Sequence, residues 1–581
     1  MNFEVARGRF FSEEVDVNQS IARFLSLGVL AFFGVFFLYP AFMVLGEAFY
    51  REGTGFTWGF VAEVFRNPLY REGLRNALGM GIFSTLASLL IAFPLALVAH
   101  RYRFPGKPVF AALVLIPLVL PPFVGAVGIK QILGVEGALN AALIGMGLMD
   151  GQTPFDWLGR SRFFGIILMN ALHLYPILYL NIVASLSHLD PAMEEAAENL
   201  GAGPWKRFWR ITLPLCRPGL FAGGAIVFIW SFTELGVPLV FDYTRVTSVQ
   251  VFDGLKELGN NPFPYALVTV MLVVSSLVFL VSKFLLGKGE LGKAPRPKGR
   301  QAERPAKGWQ SVLCILLYLT VFSAAFLPHL GVILSSVAHD WYGTVIPKHF
   351  VMDHYEEALG HPLVVPSIQN SLLYSGLATL VDIILGLAIA WVVVRSSLRW
   401  RGLLDALVML PLAVPGLVLA FGYLALSQKG EPFHFLLIGA SDNPLWLLVI
   451  AYAVRRLPYV VRAGVAGLEQ SNVQLEEAAK SLGAGPLRTL RRISLPLIGA
   501  NVAAGAVLAF AFAMLEVSDS LILAELREHF PITKAIYILL GTLGNGHELA
   551  AALGVWAMIF LSIAIVGASI LGGKKGGLFK L

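Results

Sequence analysis

Four histidines and four carboxylates crowd into residues 339–361, as His339, Asp340, His349, Asp353, His354, Glu356, Glu357 and His361. Side chains of these types hold a metal ion when three or four converge at fixed spacing. The spacing here matches no standard ligand set, so this stretch is expected to be a surface loop, and no metal site is assigned to it. Residues 287–294, GKGELGKA, fall one residue short of a phosphate-cradling glycine-rich loop. That loop needs a strand before it, a helix after it and a hydroxyl for magnesium, whereas an apolar run precedes this segment and Ala294 stands in place of the hydroxyl. Cys216 and Cys314 are too few for a disulfide framework or a thiolate metal site. No His/Asp/Glu or Ser/Lys set converges, so no catalytic residue and no bound cofactor is expected. The remaining residues with chemistry to offer, Asp382, Arg455, Glu234 and Glu516, lie inside apolar runs.

Those runs set the class. The chain has 581 residues, 56% of them hydrophobic and 14% charged, where a soluble chain carries about 25% charge. Apolar stretches of about 20 residues, enough to cross a bilayer as helix, recur along it. About twelve are expected, beginning near Ala22, Ala77, Pro108, Phe163, Gly219, Tyr265, Trp309, Ser371, Leu403, Leu445, Ile498 and Leu549. The first follows a polar tail with Glu13, Glu14 and Asp16 and has no small-residue cleavage site, so it is expected to stay as a span. Lys and Arg fall on alternate connections, HRYRFPGK, WKRFWR, RSSLRWR and RTLRR, and on the terminal GGKKGG. Basic connections mark the cytoplasmic side. Both termini are therefore expected there, and sidedness rather than nucleic acid accounts for the net charge of +7.

Within this frame Asp382 and Arg455 each lie roughly 15–18 Å below the outer face at helical rise. They are expected to form an ion pair, with Arg456 as the other possible partner, because an unpaired charge in a span is costly, and a direct place in the solute path is the alternative. Glu234 and Glu516 stand at equivalent points of two spans, 516 − 234 = 282, roughly 25–27 Å above the cytoplasmic start. They either line a translocation path or pair with nearby basic groups. The proline pairs Pro117/Pro121 and Pro411/Pro415 either free carbonyls toward such a path or kink the packing.

The chain is written twice. Residues 194–215, EEAAENLGAGPWKRFWRITLPL, return at 476–497 as EEAAKSLGAGPLRTLRRISLPL. LIPLVLPP around Pro117 matches MLPLAVPG around Pro411, and RNALGMG around Asn76 matches QNSLLYS around Asn370, both at an offset of 294. The offset shrinks to 282 by the motif, so the first half holds the longer loop between its third and fourth spans. An even number of spans per half makes the halves parallel repeats. The expected organisation is a tail (1–20), a first half (21–287, loop 190–214), a Lys/Pro/Gly-rich linker (288–308), a second half (309–573, loop 472–496) and a tail (574–581). In each loop Ala-Ala opens a short helix with a small flat face, capped in the first copy by Asp190 ahead of Pro191. GAGP stops it, and Leu-Pro re-enters the membrane.

Both copies obey E-A-A-x3-G-x9-I-x-L-P: Glu195, Ala196, Ala197, Gly201, Ile211, Leu213, Pro214, and Glu477, Ala478, Ala479, Gly483, Ile493, Leu495, Pro496. The pattern resembles the coupling-loop signature of binding-protein-dependent ABC importer permeases of the type I fold. The resemblance covers both halves, and the fused arrangement with RRLPYVVRAGVAGLEQSNVQLEEAAKSLGAG is most similar to the ferric-iron-type permeases. Thiamine, polyamine and phosphonate permeases are related and stay open. The resemblance implies an all-α polytopic protein of the bacterial inner membrane that passes a solute inward from a periplasmic binding protein. It also implies cytoplasmic ATPase subunits that carry ATP and magnesium themselves. Glu195 and Glu477 would be the docking carboxylates, Gly201 and Gly483 the bends, and the likeness of the loops implies two copies of one ATPase. The histidine-rich loop would then face the binding protein. A secondary transporter without ATPase partners is the alternative from another class. It would need a coupling-ion site, which inverted repeats often accompany.

Overall fold

The protein is described by a computed structural model covering residues 19–51, 55–118, 120–158, 162–187, 191–257, 261–285, 304–439 and 442–572. Asp190, the glycine-rich segment 287–294, nearly all of the linker and most of both tails lie outside the described residues. The principal helices, in chain order, are α1 (Gln19–Ala48), α2 (Pro68–Arg101), α3 (Pro122–Gly145), α4 (Phe163–Ser187), α5 (Pro191–Asn199), α6 (Pro204–Val240), α7 (Phe263–Leu285) and α8 (Gly308–Ser336). They continue with α9 (Val364–Arg395), α10 (Arg401–Leu412), α11 (Gly416–Ser427), α12 (Leu445–Gln470), α13 (Val473–Ser481), α14 (Leu487–Met514), α15 (Ile532–Leu540) and α16 (Gly546–Ala564).

Ten of these are long and apolar enough to cross a membrane, and α10 with α11, bent by 92°, would make an eleventh. The count falls short of the twelve expected at α12. That helix is 26 residues long but carries Arg455, Arg456 and Arg462 where a membrane-crossing stretch would lie. The expected third span is likewise divided, a short helix to Leu118 preceding α3. The proline pairs explain both breaks. A 3-10 turn holds Pro117 or Pro411, and Pro121 or Pro415 opens the next helix. The Pro121 carbonyl accepts from the Val124 amide at 3.0 Å and the Pro415 carbonyl from Val418 at 3.1 Å. These two carbonyls start helices, so the chain kinks at both places; the carbonyls that a proline frees lie four residues behind it.

Prolines also widen helices. Three five-residue π segments, Gly34–Leu38, Phe208–Thr212 and Leu490–Ser494, each end one residue before an X-Pro step, at Tyr39-Pro40, Leu213-Pro214 and Leu495-Pro496. The amide ahead of the proline donates five residues back, to Gly34, Phe208 or Leu490. Proline has no amide for the carbonyl four residues behind it and its ring clashes there, so the turn opens.

The helices gather into two compact units that cut across the sequence repeats. One unit takes α1 as far as Glu47, Val365–Lys534 and residues from Ile559 onward; the other takes Ala48–Val364 and Ala535–Met558. Each repeat has thus exchanged its opening helix. In the first unit Tyr423 of α11 bonds to the Phe36 carbonyl of α1, and a Cβ on Gly422 would stand 2.8 Å from the Pro40 carbonyl oxygen. In the second, Tyr318 of α8 donates to the Leu95 carbonyl of α2 at 3.0 Å. There α3 and α8 approach until a Cβ on Gly128 would stand 2.1 Å from the Pro328 oxygen. Small residues at such crossings let helices gain packing that the apolar solvent of a membrane does not drive.

Candidate functional site

The repeated motif folds the same way in both copies. α5 and α13 are nine-residue helices, and α13 is capped by the Asn472 side chain, which accepts from the Gln474 amide at 3.0 Å. Gly201 and Gly483 end them with φ of 79° and 80°. The Ala202 amide reaches back to the Ala197 carbonyl at 2.9 Å and Ala484 to Ala479 at 3.0 Å, a left-handed helix stop that glycine adopts at little cost. Pro214 and Pro496 each occupy the second position of a helix that follows a π segment, with Leu213 and Leu495 ahead of them.

Glu195, Ala196, Glu477 and Ala478 are exposed, Ala197 is half-buried and Ala479 buried. Leu200 and Leu482 lie at the tips, 88% and 89% exposed, with Met193, Trp205, Leu475 and Leu487 exposed around them. Each loop therefore offers a carboxylate beside an apolar knob. The preceding carboxylate turns inward. Glu194 accepts from Thr212 Oγ1 at 2.7 Å and lies 3.5 Å from Arg101 Nη2. Glu476 accepts from Arg395 Nε at 3.0 Å and from Ser494 Oγ at 3.0 Å. The first loop carries a further contact. Glu198 pairs with Arg207 and, at 3.2 Å, with Arg304, which returns from the linker beside a short parallel ribbon of Tyr102–Arg103 with Arg304–Pro305. Hydrogen bonds from Arg207 and then Arg304 hold the Glu198 carboxyl below the usual carboxylate range.

Residues 55–289 and 382–571 match the family described as "Binding-protein-dependent transport system inner membrane component", more than half of the chain and in two copies. The chain belongs to that family. It is 29% identical over 519 residues to the ferric transport system permease protein FbpB of Actinobacillus pleuropneumoniae, covering 86% of this chain and 71% of the relative. The putative ferric transport system permease protein FbpB 1 of Haemophilus influenzae is also 29% identical over 519 residues, with 86% and 77% covered. A shorter likeness, 31% over 199 residues and 33% of this chain, is to the spermidine/putrescine permease PotB of Haemophilus influenzae, of which 68% is covered. This is a multi-pass inner-membrane permease, and its family implies ATPase and binding-protein partners in general.

The permease's intramembrane charges are arranged differently from expectation. Arg455 does not pair with Asp382. Its Nη1 bonds to Glu516 at 2.5 Å and to Asp519 at 3.1 Å, Arg456 Nη2 takes the other Glu516 oxygen, and the Arg456 guanidinium lies 5.6 Å from the Phe512 ring. Depth alone matches Arg455 with Asp382, but Glu516 lies just past the end of α14 and Asp519 in the short helix Ser518–Leu523 that follows, and the two supply both carboxylates. Both oxygens of Asp382 are buried without a hydrogen bond. Gly416 makes room for the cluster, since a Cβ there would stand 2.2 Å from Arg455 Nη1. The repeat offsets place Pro122 and His173 at the positions of Gly416 and Arg455 (416 − 122 = 294; 455 − 173 = 282). The charged cluster thus belongs to one half only. Glu234 is used locally: its Oε1 accepts from the Gly236 and Val237 amides at 3.1 and 3.2 Å.

The histidine-rich stretch is pinned by its own side chains. Ala338 and Phe350 form an antiparallel bridge, His354 Nε2 lies 2.9 Å from the Ala338 carbonyl, and His361 Nδ1 accepts from the Leu363 amide. Among the described residues no three His, Cys, Asp or Glu side chains gather as metal ligands. Glu194, Glu476 and Asp519 were missed as site residues, and Arg456, expected as the other partner for Asp382, bonds to Glu516 instead. The first two could have been found by noting that Thr212/Ser494 and Arg101/Arg395 recur at the repeat offsets.

Proposed function

We propose that this chain is the membrane subunit of an ATP-driven ABC importer that passes ferric iron, delivered by a periplasmic binding protein, into the cytoplasm. The observation that carries the importer reading is the pair of loops: two helix–turn–helix projections with the same glycine stop, each presenting an exposed carboxylate and an exposed leucine. A cleft in an ATPase subunit would take each one. The likeness of the copies favours two copies of a single ATPase, with ATP and magnesium held there and no catalytic residue in this chain. Glu195 and Glu477 then face the ATPase, and Ala196, Ala197, Ala478 and Ala479 give the helices their small face.

Closure of the ATPase dimer would draw the loops together and turn the halves outward, and hydrolysis would reset them. Cargo leaves the binding protein only if the two states differ in affinity for it. The basic connections favour a cytoplasmic side for the loops and both termini. The opposite face would meet the binding protein through residues such as Tyr342, Ile346, Phe350 and Met352, all exposed. Glu234, Glu516, Asp382 and Arg455 stay candidates for the path, with Glu516 and Arg455 acting as one cluster. The ferric reading is supported by the names of the two relatives that match most of the chain. The polyamine reading has the support of a relative matching a third of it.

The test is to reconstitute the chain with its ATPase and binding protein in proteoliposomes and follow ATP-dependent uptake of ferric iron against spermidine. ATP-dependent iron uptake supports the reading. Spermidine uptake would move the cargo, and uptake without ATP would replace the importer with a secondary transporter.

A further inference from the structure

Each loop helix hangs between a span that ends and a span that begins, and its far end turns at a glycine in left-handed geometry. A push on such a helix would swivel it unless something fixes it to the spans. We infer that Glu194 and Glu476 are positioning residues that do this, transmitting movement of the loops into the membrane. The inference rests on the importer reading above and concerns carboxylates one residue ahead of those assigned to ATPase docking.

The geometry is the same in both copies. Arg101 and Arg395 are the last residues of α2 and α9, where a cation also suits the negative end of the helix dipole. Thr212 and Ser494 close the π segments at the start of the re-entering helices. Each glutamate joins both to the loop helix, so one carboxylate binds three pieces of chain that the sequence keeps far apart.

The two joints differ in stiffness. Glu476 and Arg395 have side chains only 9% and 11% exposed. Arg395 Nη2 reaches the second Glu476 oxygen at 3.4 Å, the Leu468 carbonyl at 2.9 Å and Ser471 Oγ at 2.7 Å. Glu194 and Arg101 are 23% and 34% exposed and touch once, at 3.5 Å. A buried, forked pair is stronger and more directional than an exposed single contact. At this joint the second loop is therefore the stiffer transmitter, while the first loop helix has Glu198 with Arg207 and Arg304 as its further tie.

The experiment measures ATP hydrolysed per cargo ion imported by the complete complex in proteoliposomes. Glu476→Gln is expected to raise that ratio about tenfold and Glu194→Gln about threefold or less, following the difference between a buried and an exposed pair. Both should still co-purify ATPase. A merely structural role would reduce the amount of complex and leave the ratio unchanged. If Glu476→Gln does not accumulate, Ser494→Ala removes one arm of the joint and should raise the ratio in the same direction. Wild-type uptake with unchanged ratios in these variants would overturn this inference alone. Absence of ATP-driven uptake in the wild type would overturn the importer reading and this inference with it.

Discussion

The hydroxyl of Tyr423 donates to the carbonyl of Phe36, the carbonyl that Pro40, four residues on, leaves without a helical donor. A proline usually costs a helix one backbone bond. Here a side chain from α11 supplies it, and the defect becomes the point at which α1 is held. Tyr423→Phe should cost about 1–2 kcal/mol, the price of an unmet buried acceptor, read as a lower unfolding midpoint in detergent. Pro40→Ala should shrink that cost in a double-mutant cycle, because the helix could then serve Phe36 itself.

Arg455 stands against the start of α11, where the helix dipole disfavours a cation, so its carboxylate partners must offset both that and burial. Arg455→Ala leaves Asp519 buried without its ion pair and Glu516 with Arg456 alone, and should destabilise the permease by about 3–5 kcal/mol, measured by thermal unfolding and membrane yield. Gly416→Ala should be as damaging in the presence of Arg455 and milder in an Arg455→His background, the residue type of the first half.

Asp382 has no hydrogen bond to lose. Asp382→Asn should leave the unfolding midpoint unchanged or raise it, because removing a buried carboxylate that accepts no hydrogen bond relieves a desolvation cost. A large fall in stability would mean that the carboxylate has a partner.

Much of this was legible in the residues. The repeat, the parallel halves and the loop motif follow from an offset that can be counted, and Gly201 and Gly483 announce the turns they make. The partner of Arg455 was not legible, because depth along a span says nothing of azimuth and set Glu516 nearer the outer face: the chain leaves its helix after Met514, and that break turns Glu516 and Asp519 onto Arg455. The inward turn of Glu194 and Glu476 was hidden for a similar reason. Adjacent residues on a helix point about 100° apart, and which faces solvent depends on where Arg101 and Arg395 end their helices.

The glycine stops can be tested without disturbing packing, since a Cβ on Gly201 or Gly483 would meet nothing within 4 Å. Any cost of alanine there comes from the backbone, about 1–2 kcal/mol for a left-handed residue. Gly201→Ala with Gly483→Ala should weaken ATPase co-purification while the spans unfold at the wild-type temperature.

The contact between Glu198 and the returning linker should depend on pH. A carboxylate whose folded value is depressed contributes above its unfolded value and loses that contribution as pH falls through the lowered one. The contact should hold at neutral pH and fail below about pH 4. The readout is protection of the Ala306 amide, bonded to the Arg103 carbonyl at 3.0 Å, compared with Glu198→Gln after correction for intrinsic exchange.

The exchange of opening helices sets an order on biogenesis. α1 leaves the ribosome well before the rest of its unit, and the tyrosine that holds it is 387 residues away, which at ordinary elongation rates is a wait of about 20–80 s. The opposite end of the chain imposes a second delay, because α16 is divided between the two units at Met558 and Ile559. Neither unit can close until α16 has been made. A ribosome that stops short of α15 releases two unfinished bodies rather than one finished and one missing, so quality-control proteases would find the truncated chain open throughout.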